Sequence, residues 1–170
     1  MIGGSKSHYE VIVIGAGVTG IYQIKRLADL GVDATVLDSA ADLGGTWYWN
    51  RYPGARFDSE SYTYGYSFSR ELLNEWHWKE RFSGQPENLR YLNYVADKFD
   101  LRKYMQFNCK VDVAQFDRAR DLWRLTIDDG RELTCRFIIM AVGLLSAPTL
   151  PRFEPSIGAA RGSGREPPPL

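Results

Sequence analysis

Apolar and polar positions in the first 38 residues follow the pattern of a β-α-β unit. Residues 9–14 form a short β-branched apolar run that ends at a glycine, typical of a buried parallel strand. From Val18 to Leu30 the apolar residues recur at helical spacing, and Gly31 stands where a helix C′ residue is expected. A second apolar run over residues 32–37 predicts another strand, parallel to the first, after a right-handed connection.

Beyond this unit the pattern predicts an irregular segment, a helix and several short strands. Residues 39–84 show no sustained period and are rich in Gly, Tyr, Trp, Arg and Ser, which is typical of a functional loop. Pro86 marks the start of a helix that continues to about Leu101. A short strand is predicted at residues 105–109. A hairpin or meander follows over 110–132, with a tight turn at Asp129 and Gly130. A last buried strand is predicted from Cys135 to Gly143.

The chain length predicts one main domain with two flanking segments. The 170 residues are enough for about one domain, which we place at 9–150 after a flexible N-terminus over residues 1–8. Residues 151–170 are rich in Pro and Gly and poor in large apolar side chains, so this tail is expected to be disordered.

Composition and charge exclude several classes of protein. Hydrophobic residues make up 44% and charged residues 25%, as in a globular protein, and the 21 basic residues balance the 21 acidic ones. A net charge of zero argues against a nucleic-acid partner, and no apolar run is long enough to span a membrane. Cys109 and Cys135 make neither a disulfide framework nor a zinc site, so we expect buried, reduced thiols, no metal and a cytoplasmic location.

A glycine loop connects the first strand to the first helix. Gly15, Gly17 and Gly20 fit the G-x-G-x-x-G pattern, in which the glycines permit a sharp turn, close approach of a pyrophosphate and tight helix–strand packing. The helix N-terminus then offers free N–H groups to the phosphates. The context predicts an adenine dinucleotide site; the alternative is a glycine-rich packing turn.

Asp38 follows the second strand and completes the dinucleotide-binding pattern. Its carboxylate is predicted to accept hydrogen bonds from a ribose diol, and the alternative is a surface acid that caps the next turn. A 2′-phosphate on the same ribose would meet a like charge. We therefore expect this unit to prefer FAD or NAD(H) to NADP(H).

The segment that follows the second strand is unusually specific. Residues 44–61 read G-G-T-W-Y-W-N-R-Y-P-G-A-R-F-D-S-E-S, and this run closely resembles the Baeyer–Villiger flavin monooxygenases, the family of phenylacetone and cyclohexanone monooxygenases. The resemblance covers roughly residues 8–153. It implies an α/β fold: a Rossmann-like FAD-binding domain with a parallel sheet and a β-meander, from a flavoprotein with two dinucleotide-binding domains.

The resemblance also implies roles for individual residues. Asp58 would orient groups beside the flavin, where the second cofactor, NADP(H), meets the ring in this family. Phe57 stands where relatives often have a cysteine. The structural alternative for Arg56 and Asp58 is an ion pair, and Trp76 and Trp78 are expected to be core residues. The implied cofactor-binding positions are Gly15, Gly17, Thr19, Gly20, Asp38, Gly45, Thr46, Trp47, Tyr48, Trp49, Arg56, Phe57, Asp58, Tyr64 and Val111.

The resemblance implies an activity for a longer protein. Relatives use NADPH to reduce FAD, and a flavin C4a-peroxide then inserts an O2-derived oxygen into a ketone to give an ester or lactone. The alternatives are a related flavin N- or S-monooxygenase, an NAD-dependent dehydrogenase with one Rossmann domain, or a non-catalytic fragment that binds FAD weakly. The family's F-x-G-x-x-x-H signature, second glycine loop and catalytic arginine are missing after Phe153, so we hypothesise an N-terminal fragment produced by a frameshift or premature stop.

Overall fold

A computed structural model describes residues 6–146 of the chain. These residues form one mixed sheet with helices packed against it. The elements are β1 (His8–Ile14), α1 (Val18–Asp29), β2 (Ala34–Leu37), α2 (Thr46–Trp49), α3 (Ser61–Tyr64), α4 (Arg70–Glu75), α5 (Gln85–Lys98), a 3-10 turn (Arg102–Tyr104), β3 (Met105–Gln106), β4 (Val111–Asp117), β5 (Leu122–Ile127) and β6 (Glu132–Met140). The strands have the order β3-β2-β1-β6-β5-β4 in the sheet. β1 pairs in parallel with β2 and β6, and β2 with β3, whereas β5 runs antiparallel to both β6 and β4.

This topology confirms the predicted fold class of a Rossmann-like parallel sheet extended by a β-meander. β1 is flanked by a strand on each side, which explains its continuous apolar run. Alternate side chains of β1 enter two separate cores: Val11 and Val13 pack with the helices, whereas Ile12 packs with the meander. The sheet is thus covered by helices on one face and partly by its own meander on the other.

Helix boundaries agree with the local signals that predicted them. After α1, Gly31 has a φ of +68° and its N–H donates to the Ala28 carbonyl, as expected of a C′ glycine. Pro86 lies in the first turn of α5, where its missing N–H is of no consequence. α5 ends at Lys98, earlier than the predicted Leu101, because Asp100 adopts a φ of +50° that a helix does not allow.

Residues 39–84 are largely irregular, as predicted, but they also contain three short helices that the sequence pattern did not predict. α2 and α3 have four residues each and α4 has six, too few for a periodic pattern to emerge. They are stabilised by local bonds, such as the Ser69 hydroxyl that accepts the Leu72 N–H at 3.2 Å. Aromatic side chains from this segment then pack against α1 and α5.

β1 begins one residue before its predicted start, and three further strands differ more from their predicted bounds. β2 begins at Ala34 because the Val32 N–H donates to Leu27 at the end of α1. β3 stops after two residues because the N–H groups of Asn108 and Cys109 donate to carbonyls in the loop after β2. β6 starts at Glu132, earlier than the predicted Cys135, because it continues the hairpin with β5, and it ends at Met140, before the predicted Gly143.

Both cysteines are buried and free, as the sequence predicts. Burial raises the pKa of the Cys135 thiol to about 11, so it stays protonated at neutral pH. No helix within residues 6–146 is long and apolar enough to cross a membrane. The predicted flexible N-terminus lies mostly outside the described residues, and the predicted disordered tail at 151–170 lies wholly outside them.

Candidate functional site

The glycine loop between β1 and α1 is packed so closely that side chains are excluded at two positions. A Cβ on Gly20 would lie 1.8 Å from the Gly15 carbonyl oxygen, well inside van der Waals contact. Gly15 has a φ of +104°, and a Cβ there would lie 2.5 Å from the carbonyl oxygen of Ala141 at the end of β6. The loop therefore holds the start of α1 directly against the carboxyl ends of two parallel strands.

The N-terminus of α1 suits an anion. Its first intrahelical bond runs from the Ile21 N–H to the Gly17 carbonyl at 3.0 Å, so the N–H groups of the first turn have no helical acceptor. Within the described residues, Gly17 offers no side-chain cap, and the first turn has no acidic residue. Thr19 is exposed in that turn. These free donors and the helix dipole fit a diphosphate group.

Asp38 is buried and holds the glycine loop in place. One carboxylate oxygen accepts the Ala16 N–H at 2.6 Å, and the other accepts the Ala40 N–H at 2.8 Å. The side chain thus caps the turn that follows β2, as the alternative interpretation predicted. It is only 9% exposed, however, and is not a surface acid. Carboxylate oxygens each accept more than one bond, so Asp38 can also accept ribose hydroxyls.

A second pair of glycines lies directly on the first loop. The Gly44 N–H donates to the Ala16 carbonyl at 3.0 Å, and a Cβ on Gly45 would lie 2.8 Å from the Gly17 Cα. Gly45 also has a φ of +53°, which favours glycine. The absence of side chains brings α2, with Thr46 at its start, beside the N-terminus of α1. Two separate sequence motifs thus form one site.

The cofactor-binding residues predicted in the segment from Thr46 to Tyr64 divide into an inner aromatic cluster and a more exposed group. Trp47, Phe57 and Tyr64 pack together, with the Phe57 and Tyr64 rings stacked at 4.6 Å, and the Trp47 indole donates to the Tyr64 hydroxyl at 2.6 Å. Trp47 and Phe57 are buried, so these side chains are primarily core residues. Tyr64 is half-buried beside them. Trp49 is 58% exposed, and the other exposed or half-buried members of the set are Thr46, Tyr48, Arg56 and Asp58.

The supposed ion pair between Arg56 and Asp58 is not formed. Arg56 pairs with Glu80 at 3.2 Å instead, and the same guanidinium nitrogen donates to the Phe82 carbonyl. Asp58 is exposed on the same segment.

Val111 lies on the other side of the site, near Asp38. It is half-buried at the start of β4, opposite Ile127 of β5. The Cys109 N–H donates to the Asp38 carbonyl at 2.9 Å, so the chain that enters β4 begins beside the end of β2.

Three supporting contacts were not foreseen from the sequence. The Tyr66 hydroxyl donates to the Val18 carbonyl at 2.6 Å, in the first turn of α1, and the Gln85 amide donates to the Trp47 carbonyl. Arg102 donates to Asp42, just before Gly44, at 2.7 Å. Each contact joins segments far apart in the chain, so no local pattern announces it. Burial raises the pKa of Tyr66 well above its ordinary value, so its hydroxyl remains a donor.

The tryptophans and histidines outside the site have structural or surface positions, as expected. Trp76 and Trp78 are partly buried against the core that contains α1 and α5. His8 and His77 are exposed.

Comparison with known proteins gives a consistent result. Residues 13–76 match the model of the NAD(P)-binding Rossmann-like domain. The chain is 46% identical to a Baeyer–Villiger monooxygenase of Pseudooceanicola batsensis, over 86% of this chain and 27% of the relative. It is 46% identical to a methyl acetate-forming acetone monooxygenase of Gordonia sp. strain TY-5, over 85% of this chain and 27% of the relative. It is also 44% identical to a phenazine N-monooxygenase of Lysobacter antibioticus, over 89% of this chain and 28% of the relative.

Solved structures show the same likeness in three dimensions. The complex of OTEMO with FAD and NADP superposes with a TM-score of 0.81 at 46% identity, over 86% of this chain and 28% of the other. The chain spans little more than a quarter of the length of the relatives it matches.

Proposed function

Because this chain is a member of the Baeyer–Villiger flavin monooxygenase family, we propose that it forms the FAD-binding portion of an NADPH-dependent monooxygenase that converts ketones into esters or lactones. The observation that carries the proposal is the contact of Gly45 with Gly17. It joins the anion-binding end of α1 to the aromatic segment specific to this family. A nicotinamide-dependent dehydrogenase would account for the anion-binding end of α1 but not for the aromatic segment.

The ADP part of FAD has a matching set of groups. The free N–H groups at the start of α1 would bind the diphosphate, and Gly17 leaves room for it. Asp38 would accept the ribose hydroxyls while it keeps its bond to the Ala16 N–H. Val111, at the edge of the same region, would contact the adenine.

The flavin end would lie along α2 and the loop after it. Thr46 and Trp49 are exposed there and Tyr48 is half-buried, and the bond from the buried Trp47 to the half-buried Tyr64 supports them. Aromatic walls suit a large flat ring. Bound FAD supplies the redox chemistry; the protein residues bind and orient it and exclude water.

Asp58 and Arg56 would orient the second cofactor. Both side chains are exposed on the segment after α2, and Phe57 between them is anchored in the core. An exposed carboxylate there can accept hydrogen bonds from a nicotinamide amide. We propose that Asp58 positions NADP(H) and is not itself a proton-abstracting base.

The substrate would be a small ketone, with O2 as the second substrate. This rests on the acetone monooxygenase among the relatives and not on a residue of this chain. Two free buried thiols agree with a cytoplasmic location. Because the chain spans little more than a quarter of its relatives, we assign turnover to the whole protein and FAD binding to this portion.

A second candidate is oxygenation at nitrogen. It is favoured by the 44% identity to a phenazine N-monooxygenase. The two activities share the cofactor site described above, so the residues of this portion support both.

FAD affinity of three forms of the chain tests the proposal. FAD is added to the wild type, to Gly45→Ala, whose new Cβ would lie 2.8 Å from the Gly17 Cα, and to Gly84→Ala, whose nearest new contact is 3.7 Å. We expect quenching of flavin fluorescence in the wild type and in Gly84→Ala, and at least about tenfold weaker binding in Gly45→Ala. Equal affinity of all three forms would overturn the assignment. Incubation of the whole protein with NADPH and either cyclohexanone or phenazine then separates ester from N-oxide formation.

A further inference from the structure

The side chain of Arg102 connects the loop before the second glycine pair to α5. Arg102 lies in the 3-10 turn that follows α5. Its Nη1 donates to the Asp42 carboxylate at 2.7 Å, just before the glycine pair. Its Nε donates to Asp97 at 2.6 Å and its Nη2 to the Asn93 side-chain oxygen, and both of these acceptors belong to α5. The planar guanidinium holds the three acceptors in fixed directions, whereas a lysine ammonium is a single point charge.

The Asp42 carboxylate passes this connection on to the backbone. Besides Arg102, the Leu43 N–H donates to the same carboxylate oxygen, at 2.8 Å. The next N–H along the chain, that of Gly44, donates to the Ala16 carbonyl of the first glycine loop at 3.0 Å. A continuous path of hydrogen bonds and main chain thus runs from α5 through Arg102 and Asp42 to the loop at the start of α1.

The second glycine pair needs such support because its backbone is unusual. Gly44 has a φ of +130° and Gly45 a φ of +53°, and glycine loses more conformational freedom on folding than any other residue. α5 also packs directly on the pair, since a Cβ on Gly44 would lie 2.5 Å from the Leu89 Cδ1. Leu89 and Arg102 therefore both join α5 to this segment, one by packing and the other by hydrogen bonds.

We propose that Arg102 is a positioning residue of the FAD site: its bond to Asp42 keeps Gly44 and Gly45 against the first glycine loop, in the arrangement that receives the diphosphate. This inference deepens the proposed function and rests on it. The Arg102 and Asp42 side chains are 37% and 44% exposed, so their ion pair contributes little to the stability of the whole fold. The pair acts on the fraction of molecules in which the loop is docked, and the apparent affinity for FAD is proportional to this fraction.

FAD affinity in a double-mutant cycle tests this role. The four forms are the wild type, Arg102→Met, Asp42→Ala and the variant with both changes. Each single variant should bind FAD about fivefold more weakly, which corresponds to the loss of one partly exposed ion pair. The double variant should bind as well as either single variant, because both changes remove the same bond. Lys103→Met is the matched control: Lys103 lies in the same 3-10 turn, and its exposed ion pair is with the nearby Asp100, so FAD affinity should not change.

Amide hydrogen exchange of the chain without FAD measures the position of the loop directly. In Arg102→Met the Gly44 N–H should exchange with solvent about fivefold faster than in the wild type, because its bond to the first glycine loop opens more often. The Gly15 N–H, which donates to the Leu37 carbonyl at 2.8 Å, should keep its exchange rate. A substitution that only weakened the whole fold would accelerate both amides alike.

Three results would overturn the proposal. The first is that Arg102→Met binds FAD as tightly as Lys103→Met. The second is a double variant whose loss of affinity equals the product of the two single losses, since the two side chains would then act independently. The third is an unchanged exchange rate of the Gly44 amide, or equal acceleration of the Gly44 and Gly15 amides. If the wild type binds no FAD, the proposed function fails, whereas the exchange rates still decide whether Arg102 holds the loop. Asp42→Ala gives the same comparison where Arg102→Met does not fold.

Discussion

Replacement of Asp38 by asparagine tests how the glycine loop is held in place. The carboxylate accepts two backbone N–H groups, from Ala16 at 2.6 Å and from Ala40 at 2.8 Å, in a site that is 9% exposed. An asparagine has one oxygen and one NH2 group, so in either orientation one of these N–H groups faces a donor. The remaining bond also loses the negative charge of its acceptor.

The magnitude follows from these contacts. A lost hydrogen bond to a charged acceptor that leaves a buried donor unpaired costs about 1.5–3 kcal/mol. For a chain of this size each kcal/mol lowers the melting temperature by about 2–4 °C, so the expected decrease is about 3–12 °C. Because Ala16 lies within the glycine loop, FAD affinity should fall by about tenfold as well, or 1.4 kcal/mol.

Urea unfolding followed by tryptophan fluorescence measures the free-energy change, and flavin fluorescence measures the affinity. Asp112→Asn is the matched control, because Asp112 is an exposed residue whose ion pair with Lys110 contributes at most about 1 kcal/mol. If Asp38→Asn is as stable as Asp112→Asn and binds FAD as well, the carboxylate does not hold the loop and the reasoning is refuted.

Three further predictions follow from packing, a buried hydroxyl and a buried thiol. Gly20→Ala should destabilise the chain by about 3 kcal/mol or more in urea unfolding, because its Cβ would lie 1.8 Å from the Gly15 carbonyl oxygen; stability equal to that of Gly84→Ala would contradict this. Tyr66→Phe should cost about 1 kcal/mol by the same assay, since the bond to the Val18 carbonyl is lost, and no change would show that water replaces it. Burial raises the pKa of the Cys135 thiol from 9.0 to about 11. The contribution of the protonated thiol to the stability of the fold is therefore complete below pH 9 and is lost as the pH rises towards 11. In Cys135→Ala the free energy of unfolding should decrease by about 2–3 kcal/mol less between pH 9 and pH 11 than in the wild type. An unchanged dependence of stability on pH would exclude the thiol as the cause.

The parts of the fold that sequence reasoning predicts are those determined by neighbouring residues. The glycine loop separates β1 from α1, and Gly31 marks the end of α1 before β2. Each of these sequence signals lies within a few residues of the element whose end it determines. The meander is similarly local, because its turns at Asp117–Asp121 and Asp129–Gly130 connect strands that are adjacent in the sheet.

The remaining features depend on contacts between distant segments. α2, α3 and α4 are too short to show a period, and they are stabilised by packing against the rest of the chain. The contact of Gly45 with Gly17 and the bond of Tyr66 to Val18 join residues far apart in sequence. The sequence indicates that the aromatic segment is unusual, but only the structure shows that Trp47 and Phe57 are buried in the core while Trp49 is exposed.

The most direct test of the central claim is a visible absorption spectrum of the purified chain after incubation with FAD and desalting. Our account predicts that the band of oxidised flavin stays with the protein, and that Gly45→Ala, treated in the same way, loses it. Loss of the band from the wild type and the variant alike would contradict the claim that this portion holds the cofactor.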